Sequence, residues 1–172
     1  MSRTIFISGG ARSGKSRLAE QLAAGFGEPL CYIATGEARD GEMAERIASH
    51  RQRRGSAWQT VEEPLRLLDA IRAANGNFRA ILVDCVTLWI TNLLFHYDAV
   101  EAVLDEVRAL AKLLPDLNTP LILVSNEVGM GIVPENALAR SFRDLAGQAN
   151  QLLAEAADEV YVTFSGIPMK LK

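Results

Sequence analysis

Short, almost wholly apolar runs alternate along the chain with longer stretches in which apolar residues return every three or four positions. The short runs are Thr4–Ser8, Leu30–Ala34, Ala80–Val83, Leu121–Val124 and Glu159–Thr163. Runs of four to six residues that are apolar throughout predict strands buried on both faces. The periodic stretches predict helices at Lys15–Ala24, Gly41–Arg54, Leu65–Ala74, Val86–Phe95, Val100–Leu114 and Glu135–Ala157. Strands separated by helices imply a mostly parallel, doubly wound α/β sheet with helices on both faces. Ligands of such a sheet sit at the C-terminal ends of its strands.

Composition narrows this picture. The 172 residues are 49% hydrophobic and 23% charged, enough apolar material for one core. No repeat, low-complexity tract or long linker divides them, so a single domain over 1–172 is expected. The net charge of −3 argues against nucleic acid or an anionic membrane as partner. No apolar run reaches the ~18 residues of a membrane span. The N-terminal stretch does not read as a signal peptide, because Ile5–Ile7 runs straight into Gly9, Gly10 and Arg12. Cys31 and Cys85 lie among apolar neighbours and read as reduced core cysteines, which fits a cytoplasmic location.

The chemistry starts where the first strand ends. Gly9-Gly10-Ala11-Arg12-Ser13-Gly14-Lys15-Ser16 fits G-x-x-x-x-G-K-[ST] between a predicted strand and a predicted helix. Glycines let the backbone curl so that successive N–H groups face phosphate oxygens, and the helix dipole adds positive potential. Lys15 is placed to reach the β- and γ-phosphates as a catalytic cation, and the Ser16 hydroxyl to ligate Mg²⁺. Ala80–Val83 then delivers Asp84, a second candidate magnesium ligand, although Asp84 or Thr87 would also suit as a helix cap. The fold expected is therefore of the P-loop NTPase type.

A phosphate loop serves kinases, GTPase switches and motor ATPases alike. The guanine-reading N-K-x-D of GTPases has no counterpart in Ser125-Asn126-Glu127-Val128-Gly129. That absence and the small size point to a small-molecule phosphotransferase. Arg46–Arg54 holds Arg46, Arg51, Arg53, Arg54 and His50 without one acid. At about 100° per residue, His50 and Arg54 continue the face begun by Met43 and Ile47. Such a face suits a helix whose base packs on the core and whose end enters a polar site; a solvated basic helix end has the same pattern.

Several segments together carry a resemblance. They are GGARSGKS at Gly9–Ser16, Tyr32-Ile33-Ala34-Thr35, Glu42–Ile47 with His50-Arg51, Thr60–Glu63, Val124–Pro134, Phe142–Gln151 and Gly166–Lys172. Over nearly its whole length the chain resembles the bifunctional adenosylcobinamide kinase / adenosylcobinamide-phosphate guanylyltransferase family of cobalamin biosynthesis. The resemblance implies phosphorylation of adenosylcobinamide by a nucleoside triphosphate, ATP or GTP. It also implies transfer of GMP from GTP to the product through a guanylyl-histidine, which maps onto His50. Nucleotide contacts are implied at Gly9–Ser16, at Ala34, Thr35 and Gly36, at Arg51, Gln52, Arg53 and Arg54, and at Glu62 and Asp84. A homo-oligomer, a trimer, is implied as well. An imidazole suits the covalent role because at its ordinary pKa of ~6.5 it is mostly neutral and nucleophilic at pH 7, the more so among arginines.

Two other readings compete: a monofunctional P-loop kinase and a nucleotide sensor without turnover. Of the remaining polar and aromatic residues, His96 reads as a polar helix end, and Trp58 and Trp89 as core or interface aromatics. Asn126 and Glu127 close a strand at the ligand edge. Arg140 and Arg143 suit either phosphate binding or surface ion pairs.

Overall fold

The computed structural model describes residues 3–36 and 55–172, so the predicted helix Gly41–Arg54 lies outside the described residues. Seven strands form one sheet among them: β1 (Thr4–Gly9), β2 (Leu30–Ala34), β3 (Trp58–Glu62), β4 (Ala80–Asp84), β5 (Leu121–Val124), β6 (Glu159–Phe164) and β7 (Ile167–Lys170). Their order is β3-β2-β4-β5-β1-β6-β7. All neighbours are parallel except β6 and β7, which form an antiparallel hairpin. The described helices are α1 (Lys15–Ala24), α2 (Leu67–Ala74), α3 (Val86–Tyr97), α4 (Val100–Leu113) and α5 (Ala137–Ala156). The expected mostly parallel α/β sheet, covered on both faces, is what the chain forms.

Alternation along the strands builds two cores. Phe6, Ile33, Ile81, Val83, Leu121 and Leu123 face Leu67, Ile71, Trp89, Val103, Val107 and Leu145 from α2 to α5. Ile5, Ile7, Leu82, Ile122 and Val124 face Ala19 and Ala23 of α1. The two alanines bring α1 close to the sheet, directly behind the phosphate loop. Each Ile or Leu sealed in this way stabilises the fold by about 2 kcal/mol. Truncating Ile81 to Ala, at the centre of the larger core, would cost about 2–5 kcal/mol. No described helix is long and apolar enough to cross a membrane.

The two edge strands escaped the sequence reading. β3, Trp58-Gln59-Thr60-Val61-Glu62, mixes polar and apolar residues because it covers one side of β2 and borders solvent on the other. β7 is exposed along its whole length and contains Pro168, which an edge position tolerates. Helix starts also moved. α2 begins two residues after the predicted Leu65, because the Glu63 carboxylate accepts from the Leu65 and Arg66 amides and turns the chain there. α5 begins at Ala137, capped by Asn136, whose Oδ1 accepts from the Ala139 amide at 3.0 Å. Pro115 tightens the end of α4 into a 3₁₀ turn, Leu114–Asp116.

Candidate active site

Strand register sets the level of the site. Ala34 pairs with Glu62 on one side and with Asp84 on the other, and Asp84 pairs with Val124. β1, which runs into the phosphate loop, lies one strand beyond β5. The loop and the acid strand are thus separated by β5, whose C-terminal end opens between them.

The phosphate loop is held from behind by the β6–β7 hairpin. Gly9 has φ 151°, and a Cβ there would stand 2.6 Å from Thr163 Oγ1 and 2.7 Å from the Thr163 carbonyl. Gly14, at φ 99°, caps α1, and a Cβ there would meet Gly166 Cα at 3.1 Å. Only glycine combines these φ values with such close approach. Ser13 Oγ and Thr163 Oγ1 share a buried hydrogen bond of 2.7 Å, and the Gly166 amide donates to the Ser13 carbonyl at 2.9 Å. Among the described residues no side chain caps the N-terminus of α1, which leaves its first amides open to an anion.

Lys15 is 7% exposed and folds over the loop, its Nζ donating to the Gly10 carbonyl at 2.6 Å. Burial lowers its pKa, partly offset by Cys85 and Asp84. Ser16 Oγ donates to Asp84 Oδ2 at 2.9 Å, and the Tyr32 hydroxyl donates to the same oxygen at 3.1 Å. A hydroxyl and a carboxylate side by side are hard oxygen donors, the kind Mg²⁺ prefers. Among the described residues no cluster of three or more His, Cys, Asp or Glu could hold a metal. Magnesium commonly takes one or two protein ligands and completes its shell with water and phosphate.

Asp84 is not the cap of the helix that follows, and neither is Thr87. Cys85 is the cap, its Sγ accepting from the Leu88 amide at 3.5 Å. Burial pushes the Cys85 thiol up to about 12 and Cys31 up to about 11, so both stay unreactive thiols. Thr35 is fully buried; its Oγ1 donates to the Cys85 carbonyl at 2.7 Å and accepts from the Cys85 amide at 2.9 Å. Its hydroxyl is therefore spent on joining the ends of β2 and β4. Asn92 of α3 fastens the same corner, donating to the Thr35 and Pro64 carbonyls at 2.8 and 3.1 Å.

A second polar network lies under the end of β5. Ser125 Oγ donates to Asn150 Oδ1 at 2.6 Å and lies 3.3 Å from Thr87 Oγ1. Thr87 Oγ1 accepts the Asn126 amide at 2.7 Å, and Asn150 Nδ2 donates to the Asn126 carbonyl at 3.2 Å. The next residue, Glu127, donates its amide to the Gly9 carbonyl at 2.9 Å. Arg143 Nη2 donates to the Gly129 carbonyl, while its buried Nη1 has no hydrogen-bond partner among the described residues. Arg140 donates to the Pro134 and Glu135 carbonyls at 2.9 and 2.6 Å. Both arginines thus fasten the loop before α5, and among the described residues neither forms an ion pair.

The structure brings together Gly9–Ser16, Ala34–Gly36 and Asp84. It places Glu62 level with them on the edge strand, exposed. His50, Arg46, Arg51, Gln52, Arg53 and Arg54 lie outside the described residues. Tyr32, Thr163 and Gly166 were missed. A tyrosine in an otherwise apolar strand, two residues before its end, was the available signal for the first; nothing local marked the other two. Trp89 is a core residue, fully buried with Nε1 donating to the Leu65 carbonyl at 2.9 Å. Trp58 stacks edge-on against Tyr32 at 6.2 Å. His96, at a helix end as expected, lines a cleft with Arg66, Arg72 and Tyr97, away from the phosphate loop.

Residues 5–171 match the family described as CobU, cobinamide kinase / cobinamide phosphate guanyltransferase. The chain belongs to the cobinamide kinase / cobinamide phosphate guanyltransferase family. It is 51% identical over 166 residues to the bifunctional adenosylcobalamin biosynthesis protein CobP of Pseudomonas aeruginosa, covering 96% of this chain and 95% of that protein. It is 46% and 47% identical over 180 residues to the CobU proteins of Escherichia coli and Salmonella typhimurium, covering 98% of this chain and 99% of each. Among solved structures, an ATPase domain superposes with a TM-score of 0.47 at 13% identity, over 93% of this chain and 68% of that one.

Proposed function

We propose that this family member phosphorylates adenosylcobinamide with a nucleoside triphosphate and then transfers GMP from GTP to the resulting phosphate. The observation that carries the reading is the Ser16–Asp84 pair beside a complete phosphate loop, in a chain matching the family over residues 5–171. In the first reaction the substrate hydroxyl oxygen bonds to the γ-phosphorus, the bond from that phosphorus to the β-phosphate oxygen breaks, and the hydroxyl proton is released. Lys15 and the outward amides of Gly9–Ser16 hold the phosphates and offset charge that builds on the leaving diphosphate. Ser16 and Asp84 would hold Mg²⁺, which supplies further charge neutralisation when bound.

In the second reaction His50 attacks the α-phosphorus of GTP. A phosphorus–nitrogen bond forms and pyrophosphate leaves. The phosphate oxygen of the acceptor then displaces the imidazole and takes the GMP, giving adenosylcobinamide-GDP. A covalent intermediate divides one difficult transfer between anions into two displacements at activated phosphorus. Arg51, Gln52, Arg53 and Arg54, with Ala34–Gly36 and Glu62, would make the remaining nucleotide contacts. The enzyme would work in the cytoplasm as a homo-oligomer, a trimer.

Incubation with α-labelled GTP tests the mechanism. The wild-type chain should take up acid-labile, alkali-stable label, and His50→Asn should lose both label and guanylyl transfer. Label on Ser13, Ser16 or a lysine, with His50→Asn still competent in transfer, would end the histidine route. Transfer of γ-phosphate alone by the wild type would leave a monofunctional kinase, and binding without turnover a sensor.

A further inference from the structure

We infer that the side-chain amide of Asn126 is a γ-phosphate-reading donor, by which the site distinguishes a nucleoside triphosphate from a diphosphate. This rests on the reading that the nucleotide's phosphates lie on Gly9–Ser16.

Three observations converge on this residue. The first is topological: β5 is inserted between β1, which carries the phosphate loop, and β4, which carries Asp84. A phosphate chain laid on the loop and directed toward Asp84 must pass over the end of β5. The second is direction. Val124 packs in the core on the α1 face, and period-two alternation returns Asn126 to that face, which Asp84 and Ser16 share. The contact of Asn126 Nδ2 with Cys85 Sγ agrees, since Cys85 belongs to the same α1-side core.

The third observation is the contrast between backbone and side chain. Both backbone groups of Asn126 are fixed, the amide by Thr87 and the carbonyl by Asn150, each through the buried Ser125 network. The side-chain donor has no comparable partner. Among the described residues Nδ2 meets one hydrogen-bonding atom, the Cys85 sulfur, at 3.9 Å. A thiol sulfur is a weak acceptor, so an anionic oxygen would replace it at little cost. A rigid backbone carrying an under-used donor is the arrangement that electrostatic preorganisation requires.

The test compares triphosphate and diphosphate binding. In calorimetric titrations of Asn126→Ala, affinity for the β,γ-imido analogue of GTP should fall about tenfold while affinity for GDP holds. The kcat for phosphorylation of adenosylcobinamide should fall about 100-fold, with the melting temperature little changed. Asn126→Asp, isosteric but without the donor, should reject the triphosphate more strongly still, and serves if the alanine variant fails to fold. Equal losses of both nucleotides, or an unchanged triphosphate-to-diphosphate ratio, would overturn the inference. Lys15→Ala separates the two ideas. If it keeps full triphosphate affinity, the placement of the phosphates is wrong; if it loses that affinity while Asn126→Ala keeps its ratio, the Asn126 role alone falls.

Discussion

The two ends of β1 treat charge in opposite ways. At the N-terminal end the Glu159 carboxylate accepts from Arg3 Nε, from the Tyr161 hydroxyl at 2.8 Å and from Lys170 Nζ at 3.0 Å. Thr4 and Asp158 close the corner, with hydrogen bonds of 2.7 and 3.0 Å between them. At the C-terminal end the cation and the anion are kept on neutral partners: Lys15 on a carbonyl, Asp84 on two hydroxyls. Neither forms an ion pair among the described residues. Charges that complete one another, as around Glu159, serve the fold. Charges held apart within one small space would keep their strength for a ligand of mixed charge, such as the magnesium–phosphate complex proposed above.

Mutations at the two ends should therefore fail in different assays. Lys15→Ala has the largest expected effect: the kinase rate should fall about 100- to 1000-fold while the urea midpoint stays close to wild type. A purified variant that phosphorylates cobinamide at the wild-type rate would remove Lys15 from the reaction. Asp84→Asn keeps an acceptor for Ser16 and Tyr32, so the fold should survive. Its magnesium titration should shift to higher concentration and both rates should drop about tenfold or more; an unchanged titration would make Asp84 a structural residue. Thr163→Val removes the partner of Ser13 without touching the phosphate surface. About 1 kcal/mol of stability should go, together with a rise in nucleotide KM as the loop loses its backing. A normal KM would show that the hairpin supports the loop by its backbone alone.

The smallest catalytic effect belongs to the other end. Glu159→Gln should cost about 1–2 kcal/mol in urea unfolding, with both activities unchanged. The Arg3 hydrogen bond, helped by Lys170 and Tyr161 and opposed by burial, holds the Glu159 carboxyl down to about 2. A carboxylate held below its ordinary value stabilises the fold above that value and loses its contribution as pH falls through the depressed one. Acid titration of wild-type stability should show this loss between pH 4.5 and about 2, and the Gln variant should lack it.

How much of this was legible in the sequence follows from where the information lay. β1, β2, β4 and β5 are buried on both faces, so burial alone wrote a readable apolar run into each. β3 and β7 exist because β2 and β6 offer them hydrogen bonds, and their own residues satisfy solvent on the other side. The phosphate loop was legible because its backbone demands glycine at fixed spacing. Asp84 stood out by ending an apolar run; its partner Tyr32 was marked only as the one hydroxyl in an apolar strand, and the cap Cys85 looks like ordinary strand material. Thr163 and Gly166 act through contacts about 150 residues away in sequence, and no local pattern encodes them. The Ser125–Thr87–Asn150 network is likewise three ordinary polar residues until the fold assembles them.

The hydrogen bond from Gly166 to Ser13 has a consequence for the order of synthesis. The ribosome makes the phosphate loop some 150 residues before the hairpin that backs it. Until Thr163 and Gly166 emerge, Gly9 and Gly14 have no surface to pack against, and pairing across so long a separation carries a large loop-closure cost. A nascent chain halted before residue 163 would thus display the complete nucleotide motif without the geometry to use it. Nucleotide binding would be acquired only with the docking of β6 beside β1.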